Sequence, residues 1–213
     1  MVTNEILWQR VLSGVPLVAI LRGAKPGEVV EVAEALSDAG FLCVEVPLNS
    51  PDAVKSIAEL RQRFDGRLLV GAGTVLDVSE VAAIDEAGGQ LIVSPNTAPA
   101  LITAAKQRGL ISIPGFATPT EAFAAIGAGA DALKLFPAEG APPYVLRALK
   151  AVLPPSCPVL PVGGISIDNM SAYVAAGAAG FGIGSSIYAP GISAGDVGER
   201  ATDFVRAWRA CRD

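Results

Sequence analysis

Residues 29–48, VVEVAEALSDAGFLCVEVPL, carry the period that decides the fold. Val29, Val32, Ala33 and Leu36 recur at helical spacing. Gly40 follows, where a helix C-terminus favours a residue able to take φ > 0, and the chain then runs into the β-rich LCVEVPL. The same alternation extends in both directions. VPLVAIL, LCVEVPL, LLVGAG, LIVSP, ISIPG, ALKLF, VLPVGG and GFGIG make eight strands separated by Ala-rich helical segments. Helix starts carry caps: Ser50 with Pro51 at the first helical position, the boxes Asp77-x-x-Glu80 and Thr118-x-x-Glu121, and Ser166 after VGGI.

Strands that are nearly all apolar and alternate with helices belong to a parallel sheet covered on both faces. Eight such units close into a (β/α)8 TIM barrel of the α/β class, with an extra N-terminal helix over residues 3–12 and another helix over 196–210. An open doubly wound sheet is the competing arrangement, and it commonly stops at about five or six strands. No Ser/Pro-rich linker or charge run divides the 213 residues, so the expectation is a single catalytic domain over 1–213.

The composition removes several function classes. A net charge of -5 and a pI near 4.8 give no basic patch for nucleic acid or an anionic membrane surface. The N-terminal MVTNEILWQR lacks the basic and apolar regions of a secretory signal, and no apolar run approaches the roughly 20 residues of a membrane span. The expectation is a cytoplasmic protein. Cys43, Cys157 and Cys211 are odd in number and lack metal-ligand spacing, which suits buried thiols in a reducing compartment. With no histidine at all, Ser-His-Asp and Cys-His catalysis and imidazole-held metals are excluded, and neither a metal nor a cofactor is expected. Acid–base work then falls to carboxylates, lysine, tyrosine or water.

Barrel chemistry belongs at the C-terminal ends of the strands. Arg22 follows VAIL, Glu45 interrupts LCVEVPL, Thr74 follows GAG, and Lys134, one of only five lysines, sits in ALKLF. Side chains alternate across a strand, so Lys134 shares a face with Ala132 and Phe136 while Leu133 and Leu135 face the helices. By the same period Glu45 points inward with Cys43, opposite Val44 and Val46. An ion pair or a snorkelling cation accounts for any one of these residues singly. An acid and a lysine, both costly to bury, converging on one barrel point to a site. PVGGIS and FGIGSS end the last two strands with glycines whose backbone can approach an anion, the usual phosphate position in such barrels, although close strand–helix packing gives the same pattern.

ILRG, EVPLNSP, GAGTVL, SPN, ALKLFPA, PVGGI and GIGSS, in this order over nearly the whole chain, resemble the class I aldolases that cleave 2-keto-3-deoxy-6-phospho sugar acids. Asn49 and Val162 look like the phosphogalactonate branch of that family; the phosphogluconate branch tends to show arginine and threonine at these positions. The resemblance implies a Schiff-base lysine at Lys134 and an acid–base glutamate at Glu45. It implies substrate contacts from Arg22, Thr74, Pro95, Val162, Gly163, Gly164, Gly184 and Ser185. It also implies a phosphorylated keto-deoxy sugar acid as substrate and a homotrimer, in keeping with an apolar fraction of 51%.

Overall fold

A computed structural model describes residues 3–212; residues 1, 2 and 213 of the expected 1–213 domain lie outside the described residues. The chain opens with α1 (Asn4–Ser13), β1 (Leu17–Ile20), α2 (Val29–Ala39), β2 (Cys43–Pro47), α3 (Ala53–Arg63) and β3 (Leu69–Gly73). It continues through α4 (Val78–Glu86), β4 (Leu91–Val93), α5 (Pro99–Gln107), β5 (Ile111–Ile113), β6 (Gly115–Phe116) and α6 (Pro119–Gly127). It ends with β7 (Leu133–Leu135), a 3-10 turn at Ala138–Gly140, α7 (Pro143–Lys150), β8 (Val159–Pro161), α8 (Ile167–Ala175), β9 (Phe181–Ile183) and α9 (Ala194–Ala210). Each of the eight β-rich runs contains a strand.

The strands form a curled parallel sheet whose hydrogen bonds differ from one uninterrupted eight-strand ladder. They fall into a six-stranded sheet, β5-β4-β3-β2-β1-β9, and a three-stranded one, β6-β7-β8. The break has a physical cause in ISIPG. Pro114 has no N–H to give to a ladder, so the expected fifth strand splits into β5, paired to β4, and β6, paired to β7. At the other seam a single parallel bridge joins Val162 to Gly182.

Two apolar layers follow from the alternation. Leu133 and Leu135, with Val44 and Val46, join the layer between strands and helices. Cys43 and Ala132 join Val18, Leu69, Leu91, Ile113 and Leu160 inside the curl, where Leu7, Trp8 and Val11 of α1 pack against them. The N-terminal helix therefore seals the end of the sheet opposite the strand C-termini, so access lies at the C-terminal end.

The capping boxes at Asp77 and Thr118 form as expected, and Ser166 N–H donates to the Asn169 carboxamide at 3.0 Å. Ser50 and Pro51 do not start a helix: α3 begins at Ala53. The Ser50 hydroxyl accepts the N–H of Gly23 at 2.9 Å, tying the loop after β2 to the loop after β1. A side chain engaged across loops is lost to the cap.

Candidate active site

β2 and β7 bring the two costly residues inside. Glu45 is 2% exposed and Lys134 5%. Both border a small cavity of about 10 Å³ whose other walls include Val18, Val93, Ile113 and Leu160. Gly73 of β3 makes room for the acid, since a Cβ there would overlap the Glu45 carboxylate. Glu45 Oε2 is buried with no hydrogen-bond partner among the described residues. An unpartnered buried carboxylate oxygen is expensive to keep, and such atoms cluster at functional sites.

Burial dominates the titration of both groups, in opposite directions. It pushes the Glu45 carboxyl above the ordinary carboxylate range, against the pull of the Lys134 and then the Arg22 charge. It pulls the Lys134 ammonium below the ordinary lysine range; Glu45 opposes this and Arg22 adds to it. The Lys134 amine also lies 4.7 Å from the centre of the Phe136 ring. Such an amine is poised to lose its proton and act as a nucleophile.

Above this floor opens a cavity of about 320 Å³ lined by Arg22, Lys134, Val162, Gly163, Gly164, Gly184 and Ser185, all among the sequence-derived candidates. Lys134, Val162 and Gly182 border both spaces, so the lysine connects the main cavity to the small one that Glu45 also lines. Arg22 stands exposed at the mouth, with its guanidinium donating to Asn49 Oδ1 at 2.6 Å and to Thr74 Oγ1 at 3.4 Å. Thr74 is therefore behind Arg22 and outside the cavity wall. Its φ of 56° is strained for a β-branched residue, by about 1–3 kcal/mol. Pro95 lines neither cavity; it stands at the C-terminal end of β4, with its carbonyl against Gly115.

One wall offers backbone donors. Gly163 and Gly164 turn with φ of 103° and 62° ahead of α8. The N–H groups of Gly164, Ile165, Ser185 and Ser186 enter no hydrogen bond among the described residues. Ser186 Oγ donates to the Ile165 carbonyl at 2.7 Å, fastening the two loops together. Free N–H groups beside a helix N-terminus, with Arg22 across the mouth, suit an anionic substrate.

A buried amine beside a wall of free N–H groups, with an inward acid near it, matches what a ketone-attacking lyase requires. The sequence profile of the aldolases described as KDPG and KHG aldolase matches residues 9–201. The chain belongs to that family. As a member of an aldolase family it is a carbon–carbon lyase. It is 47% identical, over 92% of either chain, to a probable 2-dehydro-3-deoxy-6-phosphogalactonate aldolase of Rhizobium meliloti. It is 45% identical to the 2-dehydro-3-deoxy-6-phosphogalactonate aldolase of Escherichia coli, over 95% of this chain and 97% of that one. A solved structure described as native KDPGal superposes with a TM-score of 0.92 at 44% identity, covering 93% of this chain and 96% of the other.

The aldolase cavity also holds residues that sequence reasoning passed over. Phe136 and Glu139 lie in and just beyond the ALKLF strand, and Ser186 and Tyr188 in the turn after β9. Tyr188 donates its hydroxyl to Glu28 Oε1 at 3.1 Å, bridging that turn to the loop before α2. Burial, then the Glu28 carboxylate, pushes the Tyr188 phenol up to about 12. Strand alternation places Phe136 on the face of Lys134; nothing in the spacing marks Glu139 or Tyr188, and the partner of Tyr188 lies 160 positions away.

Proposed function

We propose that the protein is a class I aldolase that cleaves 2-dehydro-3-deoxy-6-phosphogalactonate to pyruvate and D-glyceraldehyde 3-phosphate through an imine on Lys134. The observation that carries this reading is the inward lysine, its amine held below the ordinary range, facing a cavity it shares with the buried Glu45. The neutral amine attacks the C2 ketone, and loss of water leaves an iminium that withdraws electrons. Glu45, directly or through a water, takes the C4 hydroxyl proton. The C3–C4 bond then breaks, its electrons passing to the iminium as an enamine while C4 becomes the aldehyde carbon. A proton returned to C3 restores the iminium, and water releases pyruvate. Arg22 takes an anionic group of the substrate, and the Gly163–Gly164 and Gly184–Ser185 corner holds the phosphate, so that binding remote from C4 orients the reacting bond. Thr74 and Pro95 support the substrate from the rim, Thr74 through Arg22.

The same reading takes the two sheets as one (β/α)8 barrel within a single catalytic domain. The continuity of β5 into β6 through Pro114 and the Val162–Gly182 bridge support it. It takes the working form as a cytoplasmic homotrimer, supported by an apolar fraction of 51% and by the exposed Leu76, Val78, Phe123 and Tyr144. Borohydride reduction in the presence of pyruvate tests the chemistry. A covalent adduct mapped to Lys134 is expected, and a protein that binds phosphorylated keto acids without ever forming an adduct would be a binding protein.

A further inference from the structure

Glu139 is the acid of the cavity that the aldolase reading leaves without work. It belongs to the 3-10 turn Ala138–Gly140 and lines the main cavity together with Gly163 and Gly164. Its side chain lies flush on those glycines: a Cβ at Gly163 would overlap the Glu139 carboxylate, and one at Gly164 would come within 2.6 Å of Glu139 Cγ. The carboxylate has no ion-pair or hydrogen-bond partner among the described residues. The turn is held firmly. Ala138 N–H donates to the Val162 carbonyl at 2.9 Å. The buried Tyr173 hydroxyl of α8 lies 2.9 Å from the Ala138 carbonyl and 3.3 Å from that of Ala141. The turn thus keeps an acidic side chain against the corner whose free N–H groups would otherwise favour an anion.

We infer that Glu139 is a specificity-determining residue, whose carboxylate shares the Gly163–Gly164 corner with the substrate's phosphate and holds down the affinity for that group. The inference rests on the phosphate assignment made above. Two anions held side by side in one corner repel even where, as at Glu139, the side chain is exposed, so the phosphate binds more weakly than the bare backbone donors would allow. Substrate lacking the phosphate brings no charge there and is not penalised. A weakened hold on the phosphate also eases departure of the phosphorylated aldehyde.

The test titrates inorganic phosphate into the wild-type protein and into Glu139→Gln and Glu139→Ala by calorimetry. Glutamine keeps the length and shape on the glycines and removes the charge; alanine also empties the space. Both variants are expected to bind phosphate about tenfold more tightly than wild type. The ratio of kcat/KM for the phosphorylated keto-deoxy acid to that for its 6-hydroxy analogue should rise by a similar factor in Glu139→Gln. A merely structural role would change both substrates alike and leave that ratio in place. Phosphate binding in Glu139→Gln equal to or weaker than wild type overturns the inference, as does a ratio that stays put. Trapping of pyruvate on Lys134 by borohydride, which needs no phosphate, separates this failure from failure of the imine reading. If the adduct forms and wild type and Glu139→Gln bind phosphate equally, the imine reading stands and the present inference falls; if neither binds phosphate at all, the phosphate assignment falls with it.

Discussion

Glu45 and Lys134 stand on opposite staves of the curled sheet. Along the strand pairings, β3, β4 and the broken β5–β6 strand separate them on one side, and β1, β9 and β8 on the other, yet both border one small cavity. Placed across the curl, acid and amine form no direct ion pair and share a space of about 10 Å³. Neighbouring strands would have locked the pair into a direct ion pair. Each instead keeps a titration set mainly by burial, the acid toward its protonated form and the amine toward its neutral one.

Replacing Lys134 with methionine removes the amine and keeps a linear side chain of similar bulk. Turnover should fall by roughly 10³-fold or more, and pyruvate with borohydride should leave no adduct. The folded state should survive, because a costly buried cation has gone. Mass spectrometry and a thermal melt check both halves; an adduct elsewhere on the chain with turnover retained would remove Lys134 from the mechanism.

Glu45→Gln gives a pH signature in stability. The folded carboxyl titrates above its ordinary value of 4.5, so the folded state binds more protons than the unfolded state once pH passes that value. Its stabilising contribution is complete below about 4.5 and is lost as pH rises through the folded pKa. Glutamine has no such loss. The difference in Tm, variant minus wild type, should therefore grow as pH climbs from about 4.5 and then level off. A difference that stays flat or shrinks would mean that burial does not govern Glu45.

Gly73→Ala tests the seat of the acid. The added Cβ would overlap the Glu45 carboxylate, so either β3 or the side chain must move. Overpacking of this kind costs about 1–3 kcal/mol. Displacing a proton-transfer group by about 1 Å can cost on the order of 10²-fold in turnover, so kcat should drop while trapping of pyruvate on Lys134 is less affected. Equal losses in trapping and cleavage would place the damage at the lysine.

The inward faces of β2 and β7 were legible because a strand has period two and the outward partners, Val44, Val46, Leu133 and Leu135, are plainly apolar. The cavity position of the glycines was legible because PVGG and GIGSS both fall at the C-terminal ends of the last two strands, where a barrel opens. The seam at Pro114 was visible as a letter, and its effect on the ladder follows from the missing N–H, but nothing local says which neighbour each half-strand will choose. Ser50 misled for the opposite reason: a good local cap was diverted to Gly23 of another loop. Glu139 and Tyr188 stayed hidden because their roles rest on contacts with Gly163 and Glu28, which only the closed fold creates.

Val162 tests the choice of substrate epimer. The residue is 7% exposed and borders both the floor cavity and the main cavity. Its backbone is pinned on both sides, the N–H donating to the Leu135 carbonyl at 3.0 Å and the carbonyl accepting from Ala138 at 2.9 Å. A substitution there should change chemistry more than position. Valine and threonine are close in shape, but threonine brings a hydroxyl that must find a partner or cost about 1–3 kcal/mol when buried. On the proposed reading valine would pack against the substrate near C4 or C5 and offer no hydrogen bond, whereas threonine would offer one to the hydroxyl of the gluconate epimer. One such contact is worth roughly tenfold in kcat/KM per 1.4 kcal/mol. Wild-type protein should favour 2-dehydro-3-deoxy-6-phosphogalactonate, and Val162→Thr should move the ratio toward the phosphogluconate by about tenfold. The measurement is kcat/KM for both epimers in both proteins. A ratio that ignores the substitution would make Val162 a packing residue only, and a wild type that prefers the gluconate would reverse the assignment of substrate.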